Sequence, residues 1–117
     1  MNKNTSSTRY YSDKHEKSIC KALGGVQTSN SGATPFTKGD IILKEADLLI
    51  EAKCSMKPKE SFTIKRDWIE KNKAEAFSMR KNNTSLCFNF EPEGSNYYII
   101  SEKMMKYLTD KLIEENS

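Results

Sequence analysis

The chain has 117 residues, of which 36% are hydrophobic and 30% charged, and its net charge is +3. This length predicts one domain that buries a core without disulfides or a structural metal. The lack of a long apolar segment or a charged-then-apolar leader excludes a membrane protein and favours an intracellular one. Three widely spaced cysteines predict reduced thiols and no zinc site.

The N-terminal segment 1–12 is polar and lacks periodicity, which predicts a flexible arm ahead of a single domain over residues 13–117. A first helix is predicted from about Asp13 to Leu23. Asp13 is a favourable N-cap residue, and two glycines follow Leu23, where a helix commonly ends.

Glu16 has two interpretations. It completes a capping box with Asp13, because a glutamate at the third helical position bonds back to the N-cap residue. It also precedes Ile19 and Leu23 by three and seven positions, which places its carboxylate on the stripe predicted to face the sheet. An acid on an inward stripe usually has a partner, so Glu16 is also a candidate ligand.

A short strand near Val26 leads into a polar segment, from Gln27 to Lys38, that is rich in hydroxyl and amide side chains and contains glycine and proline. Most segments of this composition are solvated surface loops. Hydroxyl groups, backbone N–H groups and a lysine in a loop also suit contacts with phosphate, and Lys38 is a candidate for such a contact.

Two strongly apolar runs, residues 39–43 and 48–53, flank a short and mostly polar gap, which predicts a β-hairpin. With the turn centred in that gap, Asp40 lies opposite Glu51. Side chains alternate along a strand, so Lys53 shares a face with both acids. Both faces carry apolar residues near the turn, which predicts a sheet covered on both sides.

The opposed carboxylates begin roughly 5 Å apart and repel each other unless a proton or a cation lies between them. Hard oxygen ligands favour Mg²⁺, for which Mn²⁺ would substitute. Lys53 would then stabilise a phosphate or orient the attacking water. The alternative is an ordinary surface hairpin with scattered charges, although charges at the ends of buried strands fit that interpretation less well.

The C-terminal half predicts a helix, two strands and a final helix. The second helix runs from about Ile64 to Lys81. Alternating apolar residues over 86–90 and the run 97–100 predict a second hairpin, after which Ser101 caps the last helix. The order is α-β-β-β-α-β-β-α, an α/β fold with a mixed β-sheet flanked by helices.

Positive charge is concentrated downstream of the first hairpin. Residues 53–81 contain nine basic and four acidic side chains, a net charge of +5 in that segment. Such clustering suits a polyanion such as DNA, for which the candidate contacts are Lys57, Lys65, Arg66 and Lys73. The alternative is a solvated helix face with mixed charges.

Asp40 followed by Glu51-Ala52-Lys53 resembles the signature of the PD-(D/E)xK nuclease superfamily, whose fold is restriction-endonuclease-like. Within it, the chain most resembles the small Holliday junction resolvases of archaea and phages. Their pattern adds a glutamate on the first helix, a polar loop before the first acid, and a helix after the lysine. The resemblance covers about residues 16–90, and the position before Asp40 is glycine where the motif's name has proline.

The resemblance implies a Mg²⁺-dependent endonuclease that hydrolyses phosphodiesters in branched DNA. It would act as a homodimer on four-way junctions, in the cytoplasm of a prokaryotic cell or a phage-infected host. The implied catalytic and metal-binding set is Glu16, Asp40, Glu51, Lys53 and the carbonyl of Ala52. The resemblance also favours Ser31 as a phosphate contact.

Two other functions remain open. A sequence-specific or general DNA nuclease of the same fold would use the same catalytic residues, although the sequence shows no base-reading element. A noncatalytic nucleic-acid-binding protein would depend on Lys65, Arg66 and Lys73 and would not need the acids.

Overall fold

The computed structural model describes residues 3–28 and 40–117, with side chains from residue 8 onward. In these ranges the chain has a mixed α/β fold with a five-stranded sheet and three α-helices. The helices are α1 (Lys3–Leu23), α2 (Arg66–Ser78) and α3 (Glu102–Glu115), and the strands are β1 (Val26–Gln27), β2 (Asp40–Leu43), β3 (Leu48–Lys53), β4 (Asn83–Phe88) and β5 (Tyr97–Ile99). The predicted order of elements is confirmed.

The strands lie side by side in chain order, from β1 to β5. Neighbouring strands are antiparallel except for β3 and β4, which are parallel. A parallel pair requires a crossover connection, which contains α2. The start of β2 therefore meets the ends of β3 and β4 at one edge of the sheet, where Asp40 pairs with Glu51 and Lys53 pairs with Phe88.

The register of the β2–β3 hairpin is the predicted one, with Asp40 opposite Glu51 and Ile42 opposite Leu49. The connection is one turn of 3₁₀-helix followed by Asp47 in the left-handed conformation, with φ of 53°. The Asp47 carboxylate accepts hydrogen bonds from the backbone N–H and the side-chain amide of Asn82, the latter at 2.6 Å. These bonds fasten the turn to the start of β4.

Helices cover both faces of the sheet, as predicted. On one face Ile19 of α1 packs into a fully buried cluster with Ile41, Ile50 and Cys87. The opposite face, which carries Asp40 and Glu51, is covered by α2. β2 and β3 thus have apolar side chains toward α1 and a mixed set, which includes Asp40, Glu51 and Lys53, toward α2, as the alternation of side chains requires.

The first helix differs from its predicted limits, because α1 begins at Lys3 and not at Asp13. The segment expected to form a flexible arm is helical from Lys3 onward. Asp13 lies inside the helix, so the predicted N-cap and capping box are wrong. Ile19 faces the sheet as predicted, whereas Leu23 is exposed.

The second helix is shorter than predicted, since it begins at Arg66 and ends at Ser78. The residues just before it are not helical, and among them Phe62 has its ring stacked on Phe88 at 4.8 Å between centroids. The last helix is capped as predicted, and the Ser101 hydroxyl accepts a hydrogen bond from the backbone N–H of Met104. Within the described ranges no helix is long and apolar enough to cross a membrane.

Candidate functional site

The predicted acid pair lies at the edge of the sheet where β2 starts and β3 ends. Asp40 is the first residue of β2, and Glu51 is its direct cross-strand partner on β3. Paired residues on antiparallel strands have side chains that start roughly 5 Å apart on the same face. The geometry therefore brings the two carboxylates together as the sequence predicted.

Asp40 is buried to an unusual degree for a carboxylic acid, with 1% of the residue exposed. Burial raises the pKa of Asp40 to about 9, with further contributions from a hydrogen bond to Glu75 and from the negative charges of Glu75, Glu51 and Glu16. Among the described residues, Oδ2 of Asp40 has no hydrogen-bond partner. A buried, unpartnered carboxylate oxygen surrounded by other acids is a favourable position for a cation or a proton.

Glu75 is a member of the site that the sequence analysis missed. It lies on α2, half-buried, and its side chain reaches Asp40 across the face of the sheet. It lies beside Ala76 and three residues after Asn72, both of which the structure shows to be buried, and from sequence alone only the apolar Ala76 beside it indicated this. An acid on that stripe of α2 must point toward the sheet.

Lys53 is held between an acid and an aromatic ring. Its Nζ lies 2.9 Å from Oε2 of Glu51 and 4.3 Å from the centre of the Trp68 ring. Both charged side chains are largely removed from solvent. The Trp68 contact is a cation–π interaction, so α2 contributes directly to the position of the lysine.

A cluster of aromatic rings packs next to Trp68. The centroid of the Phe62 ring lies 6.3 Å from that of Trp68 and 4.8 Å from that of Phe88. The ring centroids of Phe88 and Tyr97 are 5.8 Å apart. Trp68 therefore contacts Phe62, whose ring is stacked on Phe88 of β4. Packing of this kind restricts the rotamers that Trp68 adopts, and with them the position of the Lys53 ammonium.

Glu16 lies near the pair but is engaged elsewhere. Its Oε1 accepts a hydrogen bond of 2.8 Å from Nε2 of Gln27 on β1. Its negative charge acts on Asp40, although it is the smallest of the contributions that raise the pKa. Gln27 thus orients Glu16, and the capping role is excluded because Asp13 is not an N-cap.

The remaining residue of the implied set, Ala52, lies between Glu51 and Lys53 in β3 and pairs with Cys87 of β4. Its Cβ is directed to the α1 face, where it packs against the buried cluster. Within residues 3–28 and 40–117, no three histidine, cysteine or acidic side chains are arranged so that they could hold a metal ion. The acid pair alone is therefore the part of the implied metal set that the geometry brings together.

The predicted DNA contacts divide into two groups. Ser31 and Lys38 lie outside the described residues. The other four candidates, which lie on α2 or in the segment before it, are exposed: Lys57, Lys65, Arg66 and Lys73.

Two of these exposed side chains interact locally. Lys65 has its Nζ 5.8 Å from the Trp68 ring centre, which places it near the site. Arg66 lies 3.8 Å from Glu70, an exposed pair that partly offsets its charge.

Comparison with known proteins identified no relative of this chain. No protein-family model, curated protein or solved structure matches the chain. The function must therefore be argued from the site itself.

Proposed function

We propose that the protein is a Mg²⁺-dependent DNA endonuclease that hydrolyses phosphodiesters in branched DNA, with four-way junctions as its substrate. The observation that supports this most directly is the buried Asp40 paired with Glu51, with Lys53 on the same face. This proposal carries forward the resemblance to the PD-(D/E)xK nucleases, in which two acids and a lysine have this order in the chain.

A cation is the simplest solution to the electrostatics of the pair. Without a cation, Asp40 stays protonated at pH values well above the usual pKa of an aspartic acid. The reason is that its negative charge would be both desolvated and repelled by neighbouring acids. Oxygen donors of this type suit Mg²⁺ and Mn²⁺. Asp40 and Glu51 would hold the ion, with the Ala52 carbonyl and Glu16 as further donors that the resemblance implies.

A bound Mg²⁺ would stabilise negative charge on a phosphodiester and lower the pKa of a nearby water. The chain's own residues supply the rest. Lys53, held by Trp68, provides a positive charge for the phosphate and a hydrogen-bond donor that orients the attacking water. Glu75 places another acid beside Asp40. Its charge disfavours ionisation of Asp40 until a cation binds at the site.

The topology is compatible with the proposed restriction-endonuclease-like core. That core has a helix, an antiparallel meander and a crossover helix leading to a parallel strand, and α1 through β4 follow this order. In such a core the acids come from two adjacent strands at one edge of the sheet. The position of Asp40 and Glu51 agrees with this expectation.

Branched DNA is proposed over linear duplex for two reasons. The described chain has no helix or ribbon that stands out as a base-reading element, and the basic side chains before and on α2 suit phosphate contacts, which report shape and not sequence. Symmetrical cutting of a four-way junction also requires two related sites, which a homodimer supplies.

The test compares cleavage of a labelled four-way junction and a linear duplex of the same sequence, with and without Mg²⁺. We expect paired nicks near the branch point that need Mg²⁺ and that are lost in Asp40→Asn and Glu51→Gln. A matched control is Glu45→Gln, because Glu45 is an exposed acid in the turn of the same hairpin. It should cut as well as the unmodified protein.

The outcomes separate the alternatives. Equal cutting of duplex and junction would indicate a general nuclease of the same fold. Tight binding without cutting, unchanged in Asp40→Asn, would indicate a noncatalytic binder and would overturn the proposal.

A further inference from the structure

A groove of about 400 Å³ lies on the α1 side of the sheet, opposite the side that carries Asp40 and Glu51. Its walls are α1 and the connection that follows β4, which contributes Asn89 and Glu93. Small-molecule sites in proteins typically have volumes of roughly 300–1,000 Å³, so the groove is large enough for a small ligand.

Three lysines of α1 line this groove. Lys14, Lys17 and Lys21 are separated by three and four residues, so they lie along one side of the helix. Glu93 lines the groove opposite them and pairs with Lys14 at 3.3 Å, and Lys17 pairs with Asp13 at 3.0 Å. Both pairs are exposed and therefore weak, so the lysine charges stay available to a ligand. The described lining side chains carry three positive charges and one negative charge.

Asn89 contributes a buried hydrogen-bond donor to the groove. The residue is 1% exposed, and its Oδ1 accepts a hydrogen bond of 2.8 Å from the backbone N–H of Ser55. This bond identifies the other end of the amide, Nδ2, as the NH₂ group. Nδ2 has no hydrogen-bond partner among the described residues, although Asn89 is close enough to Cys54 to act on the pKa of that thiol. At least one N–H of Asn89 therefore lacks an acceptor.

His15 contributes a second buried donor. It is 4% exposed, and its Nε2 lies 3.6 Å from Sγ of Cys87. Burial lowers the pKa of His15 and raises the pKa of Cys87 to about 12, so the imidazole is neutral and the thiol keeps its proton. The thiol then donates to Nε2, which places the imidazole proton on Nδ1. Asn96 acts on the pKa of His15 from nearby, but in the described chain neither Nδ1 nor Oδ1 of Asn96 has a hydrogen-bond partner.

The unpaired side-chain groups that line the groove, as far as the chain is described, are donors and cations. The Ser18 hydroxyl also lines it, but it already donates to the backbone carbonyl of His15 and accepts from the side-chain amide of Asn96. A buried N–H without an acceptor is unfavourable, and two of them beside three ammonium groups suit a ligand that is rich in acceptor oxygens. A water molecule satisfies a donor but does not balance the positive charge. A phosphate group does both.

We infer that this groove binds a phosphate group, with His15 and Asn89 donating to its oxygens and the lysines of α1 balancing its charge. Two sources supply this chemistry, a small phosphorylated molecule and the DNA backbone. The buried donors favour the small molecule, because a terminal phosphate enters a groove more deeply than a phosphate flanked by two sugars. The inference goes beyond the proposed function, since the groove lies on the other side of the sheet and uses neither Asp40 nor Glu51.

The first measurement is a titration of the full chain with inorganic phosphate, followed by ¹H–¹⁵N nuclear magnetic resonance. His15 is the single histidine of the chain, so its imidazole signals need no assignment. We expect the His15 Nδ1 and the Asn89 side-chain NH₂ signals to shift saturably, with a dissociation constant of roughly 0.1–1 mM, as suits a ligand of few atoms. Sodium chloride at the same ionic strength should not shift them. The absence of a saturable shift with phosphate would overturn the inference.

The second measurement repeats the titration on variants with fewer lysines. Lys17→Ala/Lys21→Ala should raise the dissociation constant for phosphate about tenfold, because two charge-assisted contacts are lost. The matched control is Lys103→Ala/Lys106→Ala, which removes the same charge from exposed positions on α3 and should leave the constant unchanged. All four lysines are exposed, so both variants should fold. Equal weakening in the two variants would indicate general electrostatic attraction and would overturn the inference.

A third measurement distinguishes the two sources of phosphate and separates this inference from the proposed function. A DNA duplex with hydroxyl ends, added in EDTA at the same concentration of phosphate groups, should neither shift the His15 signal nor displace inorganic phosphate. Displacement by the duplex would overturn the assignment to a small molecule and identify the DNA backbone as the source. Asp40→Asn should bind phosphate as the wild-type protein does. Phosphate binding without any Mg²⁺-dependent DNA cutting would support this inference and overturn the nuclease proposal alone.

Discussion

Replacing Asp40 by asparagine should stabilise the protein when no divalent cation is present. The carboxyl is 1% exposed and its pKa is raised from 3.8 to about 9, first by burial and then by Glu75 and the other acids. Asparagine has nearly the same shape, does not ionise, and offers an N–H donor to Glu75. The substitution thus removes the cost of protonating this carboxyl on folding while preserving the packing.

The magnitude follows from linkage. When the pKa of a group is higher in the folded than in the unfolded protein, its contribution to the free energy of unfolding is complete below the unfolded pKa. That contribution is lost as the pH rises toward the folded pKa. For Asp40 the window runs from about pH 4 to about pH 9. At pH 7, about 3 units above the unfolded pKa, this corresponds to a ceiling of about 4 kcal/mol, and the expected gain is about 1–3 kcal/mol.

The assay is urea unfolding of both proteins in EDTA at pH 5, 7 and 8. We expect the stability advantage of Asp40→Asn to grow by about 2 kcal/mol between pH 5 and pH 8. Asp67→Asn serves as the control, because Asp67 is exposed on α2 and should change stability by less than about 0.5 kcal/mol. An Asp40→Asn protein that is less stable than wild type, or equally stable at every pH, would refute the reasoning.

Three further predictions follow from the same site. Glu75→Gln should lower the pKa of Asp40, because it removes a neighbouring charge, so the pH-dependent loss of stability should be smaller and end at lower pH in the same unfolding series. Trp68→Leu should destabilise the protein by about 1–2 kcal/mol in urea unfolding, through lost packing and the lost cation–π contact with Lys53; no change would mean that the contact is not formed. Lys65→Ala and Lys73→Ala should each lower the magnitude of the slope of log binding constant against log salt concentration by about 0.9, measured for the junction by fluorescence anisotropy. Arg66→Ala should have a smaller effect, because Arg66 already pairs with Glu70.

The central hairpin was predictable from sequence because two strong constraints coincide there. Short apolar runs specify strands, and a brief connection leaves few registers that keep apolar side chains on covered faces. Asp40 opposite Glu51 followed from that register without any structural information. The Ser101 cap was predictable for a similar reason, since a capping hydroxyl precedes an amphipathic run.

The parts that were not predicted depend on contacts distant in sequence. The helix α2 begins at Arg66, two residues later than predicted. Phe62 packs on Phe88, and this tertiary contact outweighs the local helix propensity. On α2 the apolar Phe77 is 85% exposed although the neighbouring Ala76 is buried, and hydrophobicity alone does not distinguish the two. Glu75 was not predicted because the other two acids of α2, Asp67 and Glu70, each lie four residues from a lysine or an arginine, a spacing typical of a solvated helix face.

The most direct test of the account is whether the Asp40–Glu51 pair binds a divalent cation. Binding of Mn²⁺ can be followed by the electron paramagnetic resonance signal of the free ion, without DNA and at a pH near 7.5. The account predicts saturable binding to the wild-type protein and to Glu45→Gln, and loss of that binding in Asp40→Asn. Saturable binding that survives Asp40→Asn, or no saturable binding to the wild-type protein, would contradict it.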